Sequence, residues 1–281
     1  MSLIQSNVFR VFEQWALGIH HGPAGSVLVT GMNGEVVHRD SALVEQRRWQ
    51  AHAGSVNALR VVDGQVWTGG GDGLVKVWAW PSLMSVAVYT GPKKPVTSLF
   101  FERSEVIAQT YERAAYVWSL AEPGAAPRKI PKVAALAQTG TGWLGCPKTG
   151  SKAGDIGALA TFDVEAGQFG EALFDDGFAA WSLQTVKGRG VLAFGTDLRA
   201  CFVDPVTGLR EPVDWHSKSG PPGYLRLSGG EEVLFGDGWI YVNGQVHKAP
   251  LKGLYSAIQL PDTRLAVSGA DGQIWVFDLG G

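Results

Sequence analysis

Apolar residues along this chain fall in short runs of four to eight, separated by clusters of glycine, aspartate, asparagine and serine. The runs include SVLVTG (Ser26–Gly31), QVWTGG (Gln65–Gly70), LVKVWAW (Leu74–Trp80), VTSLFF (Val96–Phe101), AAYVWSL (Ala114–Leu120) and GVLAFG (Gly190–Gly195). RACFVD (Arg199–Asp204), EVLFGD (Glu232–Asp237), WIYVNG (Trp239–Gly244), RLAVSG (Arg264–Gly269) and QIWVFD (Gln273–Asp278) continue the series. Run length, β-branched and aromatic content and flanking turn residues all predict strands. No stretch keeps a helical apolar stripe for three turns, so the chain reads as all-β.

The punctuation has a period. MNG (Met32–Gly34), GDG (Gly71–Gly73), GDG (Gly236–Gly238) and ADG (Ala270–Gly272) place Asn-Gly or Asp-Gly between apolar runs, and predict type I′ hairpins with positive φ at both central residues. Asn33 to Asp72 is 39 residues, and Asp72 to Glu112 and Asp197 to Asp237 are 40 each, with a weakly marked unit near Lys152 in the gap. Seven residues after these landmarks stand Asp40, Ala79, Ser119, Asp204 and Asp278, and Asp163 fills the same place in the fourth unit. Trp78, Trp118 and Phe277 come just before that position.

A repeat of about 40 residues with four short strands per unit is the signature of a propeller blade. VKVWAW, AYVWSL and IWVFDL resemble the Trp-Asp ending of such blades, so the sequence is similar to the tryptophan-aspartate (WD) repeat β-propellers. The likeness is closest in the second unit and degenerate in the first, fourth, fifth and sixth. The implied fold is one seven-bladed domain over 1–281, with blades at about 15–50, 51–91, 92–132, 133–174, 175–216, 217–249 and 250–281; six blades result if the fourth unit is an insertion. The last unit lacks an outer strand while NVFRVFEQW (Asn7–Trp15) has no unit of its own. Residues 1–14 are therefore expected to pair with the segment around Trp275–Asp278 and close the last blade.

Composition narrows the function. With 281 residues, 45% hydrophobic and 18% charged, the chain can bury a large core, and a formal charge of −2 gives no basic excess for direct binding to nucleic acid. No leader pattern or membrane-length apolar run is present, which predicts a cytoplasmic protein without membrane insertion. Cys146 and Cys201 have no zinc-type spacing and read as buried thiols.

His52, Thr68, Asp72 and Trp78 combine an imidazole, a hydroxyl and a carboxylate, as a nucleophilic site would. In WD-type blades the matching positions form a structural hydrogen-bond network, and the resemblance implies that role here, with no catalytic residues. Blade 3 keeps Glu112 and Trp118 with Ala108 at the hydroxyl position; blade 7 keeps Asp271 with Val267 and Phe277. GCPKTGSKAG (Gly145–Gly154) imitates a phosphate loop but reverses the Lys-Ser order, and TGGGDG is followed by a strand where a dinucleotide site needs a helix. His20-His21 and Asp175-Asp176 fall short of the three converging ligands of a metal site, and His38, His216 and His247 are isolated. No cofactor or metal is expected. Trp78 and Trp80 read as packing between blades, whereas Trp143, Trp215 and Trp239 adjoin loops and are candidates for a contact surface.

The resemblance also implies a non-enzymatic scaffold that binds one or more proteins, as a subunit of a multi-protein complex, through the loop-rich face. Met32, Asn57, Lys93, Lys94, Thr97, Tyr111, Thr196 and Tyr255 would line that face. The opposing reading is a metal-dependent lactonase or hydrolase propeller, which needs acidic or amide groups on several innermost strands; SVNAL, VTSLF, VAALA and YSAIQ supply mainly Ala, Ser, Leu and Val there.

Overall fold

The computed structural model describes residues 2–215, 221–249 and 253–280; His216 lies outside them. After β1 (Ser2–Arg10) come β2 (Ala16–His21), β3 (Val27–Gly31), β4 (Glu35–Arg39) and β5 (Glu45–Gln50), which form one antiparallel sheet in that order. The next sheet is β6 (Val56–Val62), β7 (Gln65–Gly70), β8 (Val75–Ala79) and β9 (Ser85–Tyr89), and the third is β10 (Val96–Glu102), β11 (Glu105–Thr110), β12 (Ala114–Ser119) and β13 (Arg128–Pro131). The fourth holds β14 (Val133–Gln138), β15 (Trp143–Pro147), β16 (Ala160–Asp163) and β17 (Gln168–Ala172). The fifth holds β18 (Ala180–Val186), β19 (Gly190–Gly195), β20 (Ala200–Val203) and β21 (Arg210–Val213). β22 (Gly223–Arg226), β23 (Glu232–Gly236), β24 (Trp239–Val242) and β25 (Gln245–Lys248) make the sixth. β26 (Leu254–Gln259), β27 (Leu265–Gly269) and β28 (Gln273–Gly280) make the seventh, with β1 as its fourth strand. Seven sheets of four consecutive strands are the blades of a seven-bladed β-propeller, and the complete fourth sheet removes the six-bladed alternative.

The chain divides into two compact units, one of Met1–Glu112, Tyr116–Arg128 and Leu225–Gly281 and one of Arg113–Ala115 and Lys129–Tyr224. In the first, Ile19, Val29 and Val37 pack with Ile258, Ala266 and Ile274, joining the first and seventh sheets. Leu28, Val36 and Ala51 meet Leu59, Val66 and Trp78 between the first and second. In the second unit Ala135, Leu144 and Cys146 meet Val191, Ala193 and Cys201. The second strand of most sheets is buried along nearly its whole length, as in β3, β7, β11, β19 and β27. Being covered on both faces, these strands read as continuous apolar runs. The outermost strands, such as β5 and β21, are exposed.

The turns correct the type I′ expectation. Of the four dipeptides expected to do so, only Asp237-Gly238 has positive φ at both residues, although Asp63-Gly64 and Asn243-Gly244 also take that form. At Asn33-Gly34, Asp72-Gly73 and Asp271-Gly272 only the glycine does, and at Asp197-Leu198 and Glu112-Arg113 a leucine and an arginine take that conformation. The side-chain oxygen explains the difference: Asn33, Asp72, Asp197 and Asp271 each accept the amide two residues on, from Glu35, Leu74, Arg199 and Gln273. This Asx turn holds the first residue at ordinary φ and leaves one left-handed position. Glycine is required at that position for a further reason at Gly272, where a Cβ would stand 2.2 Å from the carbonyl oxygens of both Phe12 and Gln14.

That close approach is part of how the chain ends join. β1 runs antiparallel to β28 from Ser2 against Gly280 to Arg10 against Gln273, with a bulge between Gln5 and Asn7. Beyond the ladder, the amides of Val11 and Phe12 donate to the Gly272 carbonyl at 2.9 and 3.1 Å, and both side chains are buried in the core shared with the first sheet. Without β1, the 8-residue β28 becomes an unpaired edge and Val11 and Phe12 leave their core. Deletion of residues 1–14 is expected to lower the melting temperature sharply or leave the protein insoluble. An unchanged melting curve, read by circular dichroism, contradicts this.

Candidate functional site

Three side chains of the second sheet and one from the loop ahead of it form a buried network. His52, between β5 and β6, places Nδ1 2.9 Å from Asp72 Oδ1 and Nε2 2.8 Å from Thr68 Oγ1, and Trp78 Nε1 donates to the same hydroxyl at 2.9 Å. The Ala53 amide donates to Asp72 Oδ2 at 3.1 Å. One proton arrangement satisfies every group: neutral His52 donates from Nδ1 to Asp72 and accepts the Thr68 proton at Nε2, while Thr68 accepts from Trp78. Burial depresses the His52 pKa and outweighs the opposing pull of Asp72. Burial pushes the Asp72 carboxyl up, but His52 and the amides of Leu74 and Ala53 leave it below its ordinary value. Thr68 is fully buried beneath His52 and Trp78, which gives its oxygen no path to a substrate.

Other sheets replace the missing members locally. In the third sheet, where Ala108 stands at the hydroxyl position, the Trp118 indole donates to the Thr90 carbonyl at 3.0 Å and Tyr116 donates to Glu112. In the seventh, Val267 and Phe277 are packed into an apolar cluster and Asp271 keeps only its turn.

A backbone pattern recurs at the turn end of the sheets. The first residue of the turn after the second strand donates its amide to the carbonyl just ahead of the first strand. The pairs are Met32 to Trp15 (3.0 Å), Gly71 to Ser55 (2.7 Å), Tyr111 to Pro95 (2.9 Å), Lys148 to Lys132 (2.8 Å), Thr196 to Ala179 (2.9 Å) and Ala270 to Gly253 (3.0 Å). Two residues further along each first strand the ladder carries a bulge, at Leu17, Asn57, Thr97, Ala134, Trp181 and Tyr255. A bulge re-aims the side chain of its extra residue. Six of the sheets therefore offer two positions at this end whose backbone is fixed, and the turn position carries side chains as different as Met32, Gly71 and Tyr111.

Within the first unit these positions expose Met32, Tyr111 and Tyr255, the tyrosine at 111 being 72% accessible. Trp15 joins them: it is 44% exposed, lies 5.7 Å from the Tyr255 ring centroid, and its carbonyl holds Met32. Sequence reasoning missed Trp15, although it stands 40 residues before Ser55 and 80 before Pro95 in the same repeat position. Lys93 and Lys94 are exposed in the loop entering β10. Asn57 and Thr97 are half-buried, and their polar groups are already used. The Asn57 amide donates to the Val96 carbonyl, tying the second sheet to the third, and the Thr97 hydroxyl donates to the Gln109 carbonyl.

In the second unit Thr196 is exposed and helps line an open cavity of about 570 Å³ with Asp176, Arg199, Cys201 and Arg210. Arg210 is fully engaged there. It donates to Asp176 at 2.6 Å and lies over the Phe174 and Phe178 rings at 4.3 and 5.2 Å. That contact holds the Asp176 carboxyl below the usual range. The Cys201 and Cys146 thiols are both buried, which pushes each up to about 11. The loop after β15 is closed on itself: Asp155 accepts the Lys152 amide and its carbonyl takes the Thr149 amide, so Gly145–Gly154 is the end of a strand and a self-bonded loop, not a phosphate cradle.

Two tryptophans expected at a contact surface are instead buried, Trp143 and Trp215; each carries an indole large enough to fill an inter-strand gap, and Trp239 alone of the three is exposed. Trp78 is buried and Trp80 meets His38 edge-on at 4.6 Å, between the first and second sheets. His20 is half-buried on β2, and burial with Arg60 and His21 nearby lowers its pKa to about 3. Among the described residues no three His, Cys, Asp or Glu side chains gather as metal ligands, and no helix is long and apolar enough to cross a membrane.

Residues 25–120 match the family model described as the IP5P C-F beta-propeller. Comparison with curated protein sequences gives no match. Among solved structures, the crystal structure of the WD40 beta propeller domain of Doa1 superposes with a TM-score of 0.70 at 15% identity, covering 99% of this chain and 97% of that one. At that identity the likeness is one of fold: this chain is a seven-bladed β-propeller of the architecture seen in WD40 propellers.

Removing the imidazole orphans the Thr68 and Asp72 groups that it satisfies. His52→Ala is expected to destabilise the protein by about 1–3 kcal/mol in urea unfolding. The pH dependence has a defined sign. Because the folded pKa of His52 lies below its ordinary value of 6.5, the unfolded chain takes up that proton first, so stability present above pH 6.5 declines as pH falls below it. The decline in melting temperature between about pH 7.5 and 5 is expected to be shallower in His52→Ala; parallel curves contradict the neutral, buried histidine.

Proposed function

We propose that this chain is a non-enzymatic interaction platform of the WD-repeat type, acting in the cytoplasm, which binds a partner protein through the turn end of the sheets in its first unit. The observation that carries this reading is the set of exposed large side chains on bonded backbone, Trp15 against Tyr255 with Met32 and Tyr111. Aromatic residues and methionine are enriched at the cores of protein interfaces, and aromatic anchors held rigid before binding lose little conformational freedom on association. Lys93 and Lys94 add positive charge to the same end and favour a partner with acidic residues around an apolar anchor. A role without chemistry fits the His52, Thr68 and Asp72 set, which is sealed inside the second sheet with every member bonded to another. It fits equally the pairing of Asp176 with Arg210. Free, buried Cys146 and Cys201 suit a reducing compartment.

The test is quantitative affinity purification from native lysate with the wild-type chain and with a Trp15→Ala, Tyr111→Ala, Tyr255→Ala variant. A second variant reverses charge at Lys93 and Lys94. Proteins enriched with the wild type are expected to be lost at least tenfold with the aromatic variant and weakened with the charge variant, at unchanged melting temperature. A partner retained equally by all three chains contradicts this surface.

A further inference from the structure

The segment Val11–Trp15 connects β1 to β2 and belongs to no strand, yet it carries Trp15 to the exposed set at the turn end. Without a ladder, its path depends on individual ties. At one end the Trp15 carbonyl accepts the Met32 amide at 3.0 Å, and at the other the amides of Val11 and Phe12 donate to the Gly272 carbonyl. The remaining tie is made by a side chain. Arg48, on the outermost strand β5 of the first sheet, donates from Nη2 to the Val11 carbonyl at 2.9 Å and lies over the Phe12 ring at 5.5 Å.

Arg48 is itself held in one orientation. Its Nε and Nη2 form a fork on Glu45 at 3.1 and 3.0 Å, and Nη1 donates to Glu35 at 2.9 Å. The bond from Arg48 holds the Glu45 carboxyl below its ordinary range. Glu35 also accepts the Asn33 side-chain amide at 2.6 Å, and Asn33 follows Met32 in the turn. The bonds thus run from the Met32 turn through Glu35 and Arg48 to Val11, and return from Trp15 to Met32 through the backbone. A planar guanidinium can make the fork on Glu45 while reaching Glu35 and Val11, whereas an ammonium is a point charge with no fork. The Arg48 side chain is 34% exposed, so replacing it opens no cavity in the core.

We propose that Arg48 is a positioning residue for the exposed set at the turn end: by clamping the Val11 carbonyl to the first sheet, it holds Trp15 against Tyr255 and its carbonyl on the Met32 amide. The consequence for binding rests on the reading of that set as the partner site; the clamp does not. The clamp is also separate from closure of the seventh sheet. The ladder of β1 on β28 uses none of the Arg48 bonds and survives its loss. What is lost is the side-chain tie between the connecting segment and the first sheet, leaving Trp15 on a segment fixed only through Gly272 and Met32.

The test combines fluorine NMR of the full chain labelled with fluorotryptophan, in which the Trp15 resonance is assigned by its loss in Trp15→Phe, with amide hydrogen exchange. Arg48→Met and, separately, Arg48→Lys are expected to move the Trp15 resonance toward that of the free amino acid. Both should speed exchange of the Met32 amide by about tenfold or more while leaving the β7 amides unchanged. Arg47→Met, at the neighbouring arginine that bonds the Pro81 carbonyl, should alter neither signal. A Trp15 resonance unmoved in both Arg48 variants, a change as large in Arg47→Met, or faster exchange spread equally over β7 overturns the proposal. No partner enters these measurements, so their failure strikes the clamp and not the partner-binding reading, which the affinity purification tests separately.

Discussion

At one end of the sheets, a turn amide is bonded to the carbonyl that precedes the first strand, and everything displayed there depends on that bond. It uses only backbone atoms, so it places no demand on the side chain of the donor. Met32, Gly71, Tyr111, Lys148, Thr196 and Ala270 all occupy the same backbone position. A fixed backbone with unconstrained side chains is the physical condition for a surface that is rigid and variable at once. The first-strand bulge adds a second such position in six of the sheets, and in the first unit the two kinds of position bring Met32, Tyr111 and Tyr255 to the surface beside Trp15, whose carbonyl accepts the Met32 amide.

What holds the frame beneath differs from sheet to sheet. The second sheet is braced by a complete network in which His52 links the entering loop to the turn and the core. The third substitutes a backbone carbonyl for the lost hydroxyl, and the seventh relies on apolar packing and on β1. Degeneration of the repeat at the sequence level is met locally: members are lost one by one, and those that remain find other partners, Trp118 a backbone carbonyl and Asp271 its own turn.

The strand pattern and the turn spacing were sufficient to read seven sheets and the pairing of β1 with β28, because continuous burial of second strands and the Asx turns both leave direct marks in the chain. The fourth unit was obscure for a physical reason. Its second and third strands are joined not by a four-residue turn but by the longer segment from Lys148 to Leu159, which displaces the landmark from its expected place. Turn type was misread because the dipeptide Asp-Gly does not reveal that the aspartate side chain will cap the turn and keep its own φ ordinary. Exposure of tryptophans was the least legible property. Trp143 and Trp215 adjoin loops in sequence but fill core, and Trp15 was overlooked since its role depends on a repeat position outside any strand.

Amide hydrogen exchange by NMR tests the central claim most directly. The amides of Met32, Gly71, Tyr111, Thr196 and Ala270 lie in surface turns, yet their bonds to the preceding-strand carbonyls predict protection comparable to that of the β3 and β7 amides. Exchange at the rate of an unstructured turn at these positions would mean that the display surface has no fixed frame, and would contradict the account.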